Sequence, residues 1–165
     1  MPLLAIAVLQ GDPAAANSNL RLAGFTAALD SLGVDYELVS RLAGFWDKEG
    51  ARAACDAFAA IGNIDLVFSM SDEMTTGCIT QFTLAGQRDV QFITIGGSSR
   101  SRSLLSFDTL IGAVCLAPRD LGRLAVSTLM DAYRTGDHDQ GLKIGVASEL
   151  TRDSESAIAS CREGW

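Results

Sequence analysis

The side chains in this sequence that could carry chemistry are few and widely spaced. Asp12 and Asp72 each lie just beyond an apolar run, where a magnesium-dependent phosphoacceptor would hold its acids. That chemistry also needs further clustered acids and a lysine after the fifth strand, and neither is present. Thr75-Thr76-Gly77 has the hydroxyl and glycine content of a phosphate-cradling loop, yet it falls within a helical pattern. Gly11 stands alone where a dinucleotide fingerprint would need further glycines. His138 is the only histidine and sits in the polar turn TGDHDQG, so neither a zinc site nor a histidine-based triad can be assembled. Cys55, Cys78, Cys115 and Cys161 form no Cys-x-x-Cys pair, and they read as buried free thiols. No acid, base and nucleophile converge. The sequence therefore points away from an enzyme and calls for no cofactor.

Composition narrows the partners. The 165 residues suit one domain with a sizeable core, and 48% of them are apolar. Twenty acidic against 13 basic residues give a formal charge of -7, with no basic run to attract phosphate backbones, so nucleic acid is excluded as a direct partner. The opening MPLLAIAVLQG lacks a basic flank and adequate length. It reads as a first strand, not as a signal peptide or a membrane span.

The elements that must position these side chains centre on Asp65 to Gly97. Leu66-Val67-Phe68 is too brief for a helix; Ser71 can cap the turn that follows, with Asp72 and Glu73 at the positive end of the helix dipole. Met74, Cys78, Phe82 and Ala85 recur at helical spacing, Gly86 can end the helix left-handed, and Val90 to Ile95 form the next strand. This βαβ unit implies parallel neighbours. Leu3–Leu9, Tyr36–Val39 and Leu110–Leu116 supply further strands. Leu22, Phe25, Leu29 and Leu32 mark the inner face of one helix, and Ala51, Ala54, Cys55, Phe58 and Ile61 that of another, capped by Asp47. SSRSRS reads as a solvated loop, with a short helical turn at Leu104–Phe107. A helix opens at Pro118, and Leu142, Ile144 and Val146 alternate like an edge strand. Right-handed crossovers then give an α/β, doubly wound parallel sheet of flavodoxin-like order 2-1-3-4-5. Residues 1–150 form the domain and 151–165 a polar tail.

Ser71-Asp72-Glu73-Met74 after an apolar strand, Leu84-Ala85-Gly86, Asp89-Val90 and Ile93-Thr94-Ile95-Gly96-Gly97 resemble the C-terminal lobe of type I periplasmic binding proteins, whose fold is shared by the effector domains of lactose-repressor-type regulators. The likeness extends back through Leu9-Gln10-Gly11, Ala23-Gly24-Phe25 and Phe45, and forward to Pro118. It implies ligand contacts at strand ends: Asn19 with Asn17 nearby, Phe45 beside Trp46 as a stacking aromatic, and Ser71 and Asp72 after strand three. Phe45 reads equally well as a core residue, and Ser71 as a helix cap. Gly96 falls where that family carries an Asp, and Leu116 where it carries a Gln. Loss of that carboxylate and amide predicts a ligand less hydroxylated than ribose, held by Asn19, Phe45 and an apolar surface near Leu116.

The resemblance covers one lobe of a two-lobed clamp. The implied function is capture of a small polar solute for an ABC transporter, in the periplasm. The alternatives are the effector lobe of a cytoplasmic regulator, or an independent flavodoxin-like interaction module. A lone lobe would leave an apolar sheet face bare, so the helix Pro118–Tyr133 is expected to cover it with Leu124 and Leu129, within the chain or by exchange in a homodimer.

Overall fold

Short apolar runs become strands here because each is bounded by turn residues within a few positions, and the amphipathic stretches between them become crossover helices. The computed structural model describes residues 3–105, 109–136 and 148–151. In chain order the elements are β1 (Leu4–Gln10), α1 (Ala16–Ser31), β2 (Tyr36–Ala43), α2 (Lys48–Ile61), β3 (Leu66–Ser69), α3 (Asp72–Leu84), β4 (Gln91–Gly96), α4 (Ser99–Leu104), β5 (Leu110–Cys115), α5 (Pro118–Thr135) and β6 (Ser148–Thr151). The sheet order is β2-β1-β3-β4-β5-β6. The first five strands are parallel, as the doubly wound pattern requires, and β6 adds an antiparallel edge across the expected 150/151 boundary. The His138 turn, the Leu142–Val146 alternation, Phe107, Cys161 and the tail beyond Thr151 lie outside the described residues.

Helix boundaries follow local chemistry. Asp47 accepts from Gly50 N at 2.8 Å, and Ser71 Oγ accepts from Met74 N at 3.3 Å, so both expected caps form. Gly86 follows α3 at φ 75°, a left-handed value that a glycine adopts without steric cost. The SSRSRS stretch is not a loop. Ser98 Oγ accepts from Ser101 N at 3.4 Å, and this cap turns Ser99–Leu104 into the short helix α4.

One sheet face is sealed by α2 and α3. Leu9, Phe92 and Thr94 point into it, with Phe82 packed edge-on against Phe92 at 5.7 Å between ring centroids. The small residues of α2 serve its approach to α3, not only to the sheet. A Cβ on Gly77 would stand 2.5 Å from the Lys48 carbonyl oxygen, and one on Gly50 would stand 2.6 Å from the Gly44 carbonyl oxygen. That approach brings Cys55 and Cys78 to a Cα separation of 5.1 Å, and they are joined in a disulfide. Cys115 is disulfide-bonded too. The expectation of free thiols fails because pairing was set by how closely the helices pack, which spacing along the chain does not encode.

The opposite face is thinner. Phe25 of α1 stacks on Phe68 of β3, while Leu22 and Leu29 are only half-buried. Across β4 and β5, Ile93, Ile95 and Val114 on this face remain half-exposed. Leu32, Ile61 and Ala85, expected inside, are exposed because the last turns of their helices overrun the sheet. The helix α5 does not return to cover the bare strip. It buries none of its residues, Leu129 is 67% exposed and Leu124 only half-buried. Among the described residues, α5 therefore does not supply the expected cover within the chain. The turn that launches α5 holds Ala117 left-handed at φ 45°.

Candidate functional site

In an open parallel sheet, the loops beyond the carboxyl ends of the strands converge on a crevice. Here they enclose a cavity of about 350 Å³. The β1–α1 connection and the first turns of α1 bring Asn17 and Arg21, the β2–α2 turn brings Trp46, and the β3–α3 junction brings Met70, Ser71, Asp72 and Glu73. Ile95, Gly96 and Ser98 form the β4 side, and Leu116 closes the wall after β5. A larger cavity, about 630 Å³, opens at the opposite ends of the strands between Leu4, Leu66, Gln91 and Ile111. It lies where the sheet is thinly covered. Asp65 and Asp89 lie on its rim, and Asp65 is already engaged by the amide of Ala5 at 2.8 Å. Of the two, the smaller cavity is the one that brings an aromatic ring together with groups of both charges, Arg21 and Trp46 beside Asp72 and Glu73.

Asp72 is the most constrained of those groups. It opens α3 and is 7% exposed. Its Oδ2 accepts from the Ser98 amide at 2.7 Å, and its Oδ1 accepts from Thr94 Oγ1 at 3.4 Å. Thr94 is itself held by Thr75 Oγ1 at 2.7 Å, so Thr75 of the Thr-Thr-Gly stretch supports the site from inside. A Cβ on Gly96 would fall 2.3 Å from the Asp72 carboxyl carbon. The carboxylate that the sequence lacks at position 96 is thus present in the same space, delivered from α3. The inference from Gly96 to a weakly hydroxylated ligand loses its basis.

The aromatic position also differs from expectation. Phe45 and Trp46 both have left-handed backbones, φ 52° and 67°, which cost roughly 1–2 kcal/mol per residue. The twist turns Phe45 outward, 59% exposed and away from the cavity, and lays Trp46 into it. Gly11 makes room, since a Cβ there would sit 2.1 Å from the Trp46 ring. The Arg21 guanidinium stands 5.1 Å from the Trp46 ring centroid, a cation–π arrangement, and donates to the Met70 carbonyl oxygen at 2.6 Å. Burial pulls the Arg21 pKa down from its ordinary value.

Of the eight positions named from sequence, Asn17, Trp46, Ser71, Asp72, Gly96 and Leu116 line the one cavity. Asn19 and Phe45 do not. Asn19 accepts from Gln10 Nε2 at 3.2 Å and donates to the Pro13 carbonyl oxygen at 3.1 Å, so its amide ties the first loop to β1. Arg21 and Ser98 were missed. Arg21 stands four residues after Asn17 and therefore on the same side of α1, a signal that was legible. Among the described residues no three His, Cys, Asp or Glu side chains are grouped to hold a metal ion, and no helix is long and apolar enough to cross a membrane.

Solved structures share this fold. A galactofuranose binding protein superposes with a TM-score of 0.87 at 19% identity, over 98% of this chain and 57% of its own. The periplasmic binding protein component of the arabinose ABC transporter from Shewanella sp. ANA-3, bound to arabinofuranose, gives 0.82 at 24% identity, over 98% and 54%. An ABC transporter periplasmic solute binding protein from Actinobacillus succinogenes 130z with bound D-allose gives 0.83 at 17% identity, over 92% and 54%. The chain thus spans little more than half the length of these proteins, and at such identities the likeness shows the fold. No curated protein matches the chain. The family described as periplasmic binding protein domain matches residues 4–137, and the chain belongs to that family of binding domains, not of enzymes.

Proposed function

We propose that this chain is the C-terminal lobe of a type I solute-binding protein that captures a small polyhydroxylated solute for an ABC transporter. The observation that carries the reading is the cavity at the strand ends, where a buried carboxylate on Asp72 and the Arg21–Trp46 pair face one space. A carboxylate accepts and a guanidinium donates, so together they suit a neutral ligand rich in hydroxyls. The solved relatives bind galactofuranose, arabinofuranose and allose, which supports the same class. The Cys55–Cys78 disulfide favours an oxidising compartment such as the periplasm, and so disfavours a cytoplasmic regulator.

A cavity open on one side buries too little of a ligand for tight binding; a second lobe would complete it. For the lobe alone the dissociation constant should be on the order of millimolar, equivalent to about 4 kcal/mol. Amide and indole chemical-shift titration of the chain with pentoses and hexoses tests this. Saturable shifts at Trp46, Asp72 and Ser98 are expected. Absence of saturable shifts with every sugar, or shifts confined to the opposite end of the sheet, would overturn the proposal.

A further inference from the structure

We propose that the turn from Gly44 to Asp47 is a two-state gate on the cavity: in the state seen here it holds the Trp46 ring in the wall, and in a second, relaxed state it releases the ring to solvent. The gate is a property of the chain itself. It goes beyond the solute-binding reading and does not depend on it.

The first argument is conformational. The Gly44 carbonyl oxygen accepts from Asp47 N at 3.1 Å, closing a four-residue turn whose two central residues, Phe45 and Trp46, are both left-handed. Turns of that kind suit Gly, Asn and Asp, whereas a bulky side chain there is strained against its own backbone. The ends of the turn are fixed. Gly44 N donates to the Gln10 carbonyl oxygen at 2.7 Å, and a Cβ on Gly44 would meet Met74 Sδ at 2.8 Å and Leu9 Cδ1 at 3.1 Å, so this glycine is wedged between β1 and α3. Asp47 is held as the cap of α2 by its bond from Gly50 N. Between these anchors, the two strained residues are the part of the turn that can change.

The second argument concerns what opposes the strain. Phe45 gains little from it, since its side chain is 59% exposed. The contacts that offset it are those of the Trp46 ring. Gly11 supplies the seat, because a Cβ there would stand 2.1 to 2.4 Å from the ring; its own backbone is not among the left-handed ones, so it is the ring that calls for glycine. Arg21 supplies the clasp, with its guanidinium anchored on the Met70 carbonyl oxygen and 5.1 Å from the ring centroid. Backbone cost and ring packing thus pull in opposite directions on one turn. Strain of this sort persists only where the surroundings over-determine it, and it concentrates in elements that switch.

The test uses no ligand. In a Trp165→Phe chain Trp46 is the single tryptophan, and acrylamide quenching of its fluorescence reports whether the ring is seated. Gly11→Ala should raise the quenching constant toward that of the urea-unfolded chain, while circular dichroism shows the fold intact. Phe45→Asn, which tolerates the left-handed backbone, should lower the unfolding equilibrium constant about fivefold with the ring still shielded. That gain should vanish in the Gly11→Ala background, because a turn that has released its ring has no left-handed strain left to relieve. A rigid turn, in which Gly11 is only a packing detail, gives the opposite: the ring stays shielded and the gain from Phe45→Asn is the same in both backgrounds. Either of those results, or Phe45→Asn without a gain, overturns the gate. Should Gly11→Ala fail to fold, Trp46→Ala empties the seat without crowding it, and the Phe45→Asn gain should be lost there too; a gain that survives in that background also overturns the gate. A chain that binds no sugar leaves these readouts untouched, so the gate and the solute-binding reading fail separately.

Discussion

The rings of Phe25 and Phe68 lie 4.1 Å apart between centroids and within 9° of parallel, so an aromatic stack holds the middle of α1 on the sheet, while Arg21 anchors its first turns through the Met70 carbonyl oxygen. Ser18 is the only fully buried residue of that helix. Phe25→Ala should therefore lower the unfolding free energy by about 2–3 kcal/mol, less than for a fully buried ring because Phe25 is half-exposed. Urea denaturation measures it. A loss below about 0.5 kcal/mol would mean that α1 is held elsewhere.

The covalent link between α2 and α3 gives a second expectation. Closing a loop with a sequence separation of 23 residues restricts the unfolded chain by about 3 kcal/mol. Replacing both Cys55 and Cys78 by Ala should reduce stability by that amount. Dithiothreitol should lower the melting temperature of the native chain by more than that of the variant; equal responses would show that this bond contributes nothing.

At Gly77 two effects oppose each other. Alanine is the better helix former by about 1 kcal/mol. Its Cβ, however, would meet the Lys48 carbonyl oxygen at 2.5 Å, and overpacking against backbone costs about 1–3 kcal/mol. Gly77→Ala should therefore be net destabilising in chemical denaturation. A stabilised variant would show that α2 and α3 separate more readily than the packing implies.

The exposed stripe of α5 should be silent in the stability of the lobe. Leu129→Asp is expected to change the unfolding free energy by less than about 0.5 kcal/mol, against about 3–5 kcal/mol for Phe82→Ala in the sealed core. Sedimentation of the native chain supplies the companion measurement. If Leu129→Asp proves costly and converts a dimer to monomers, copies of the chain exchange this helix.

Local interactions were the legible part of the sequence. Asp47 and Ser71 cap their helices because the bonds span three residues, and the strand order follows from crossovers that any parallel sheet must make. Four of the outcomes depend on approach in three dimensions. Cys55 and Cys78 meet where Gly77 lets α3 come close to α2. Trp46 rather than Phe45 enters the cavity because two successive residues turn left-handed. Asp72 occupies the space at Gly96 because the ends of β3 and β4 lie side by side. The expected docking of α5 within the chain fails because an amphipathic stripe specifies that a face is apolar without specifying what it meets.

The half-exposed strip formed by Ile93, Ile95 and Val114 is an apolar surface through which copies of the chain can attract one another. It lies on β4 and β5, each of which has a hydrogen-bonded neighbour on both sides, so no open backbone edge is available there to template a growing fibril. Attraction between copies through this strip is face to face and purely hydrophobic. Such attraction strengthens in sulfate and weakens on cooling, so the expected outcome is that turbidity of the concentrated chain in warm ammonium sulfate clears in cold, dilute buffer.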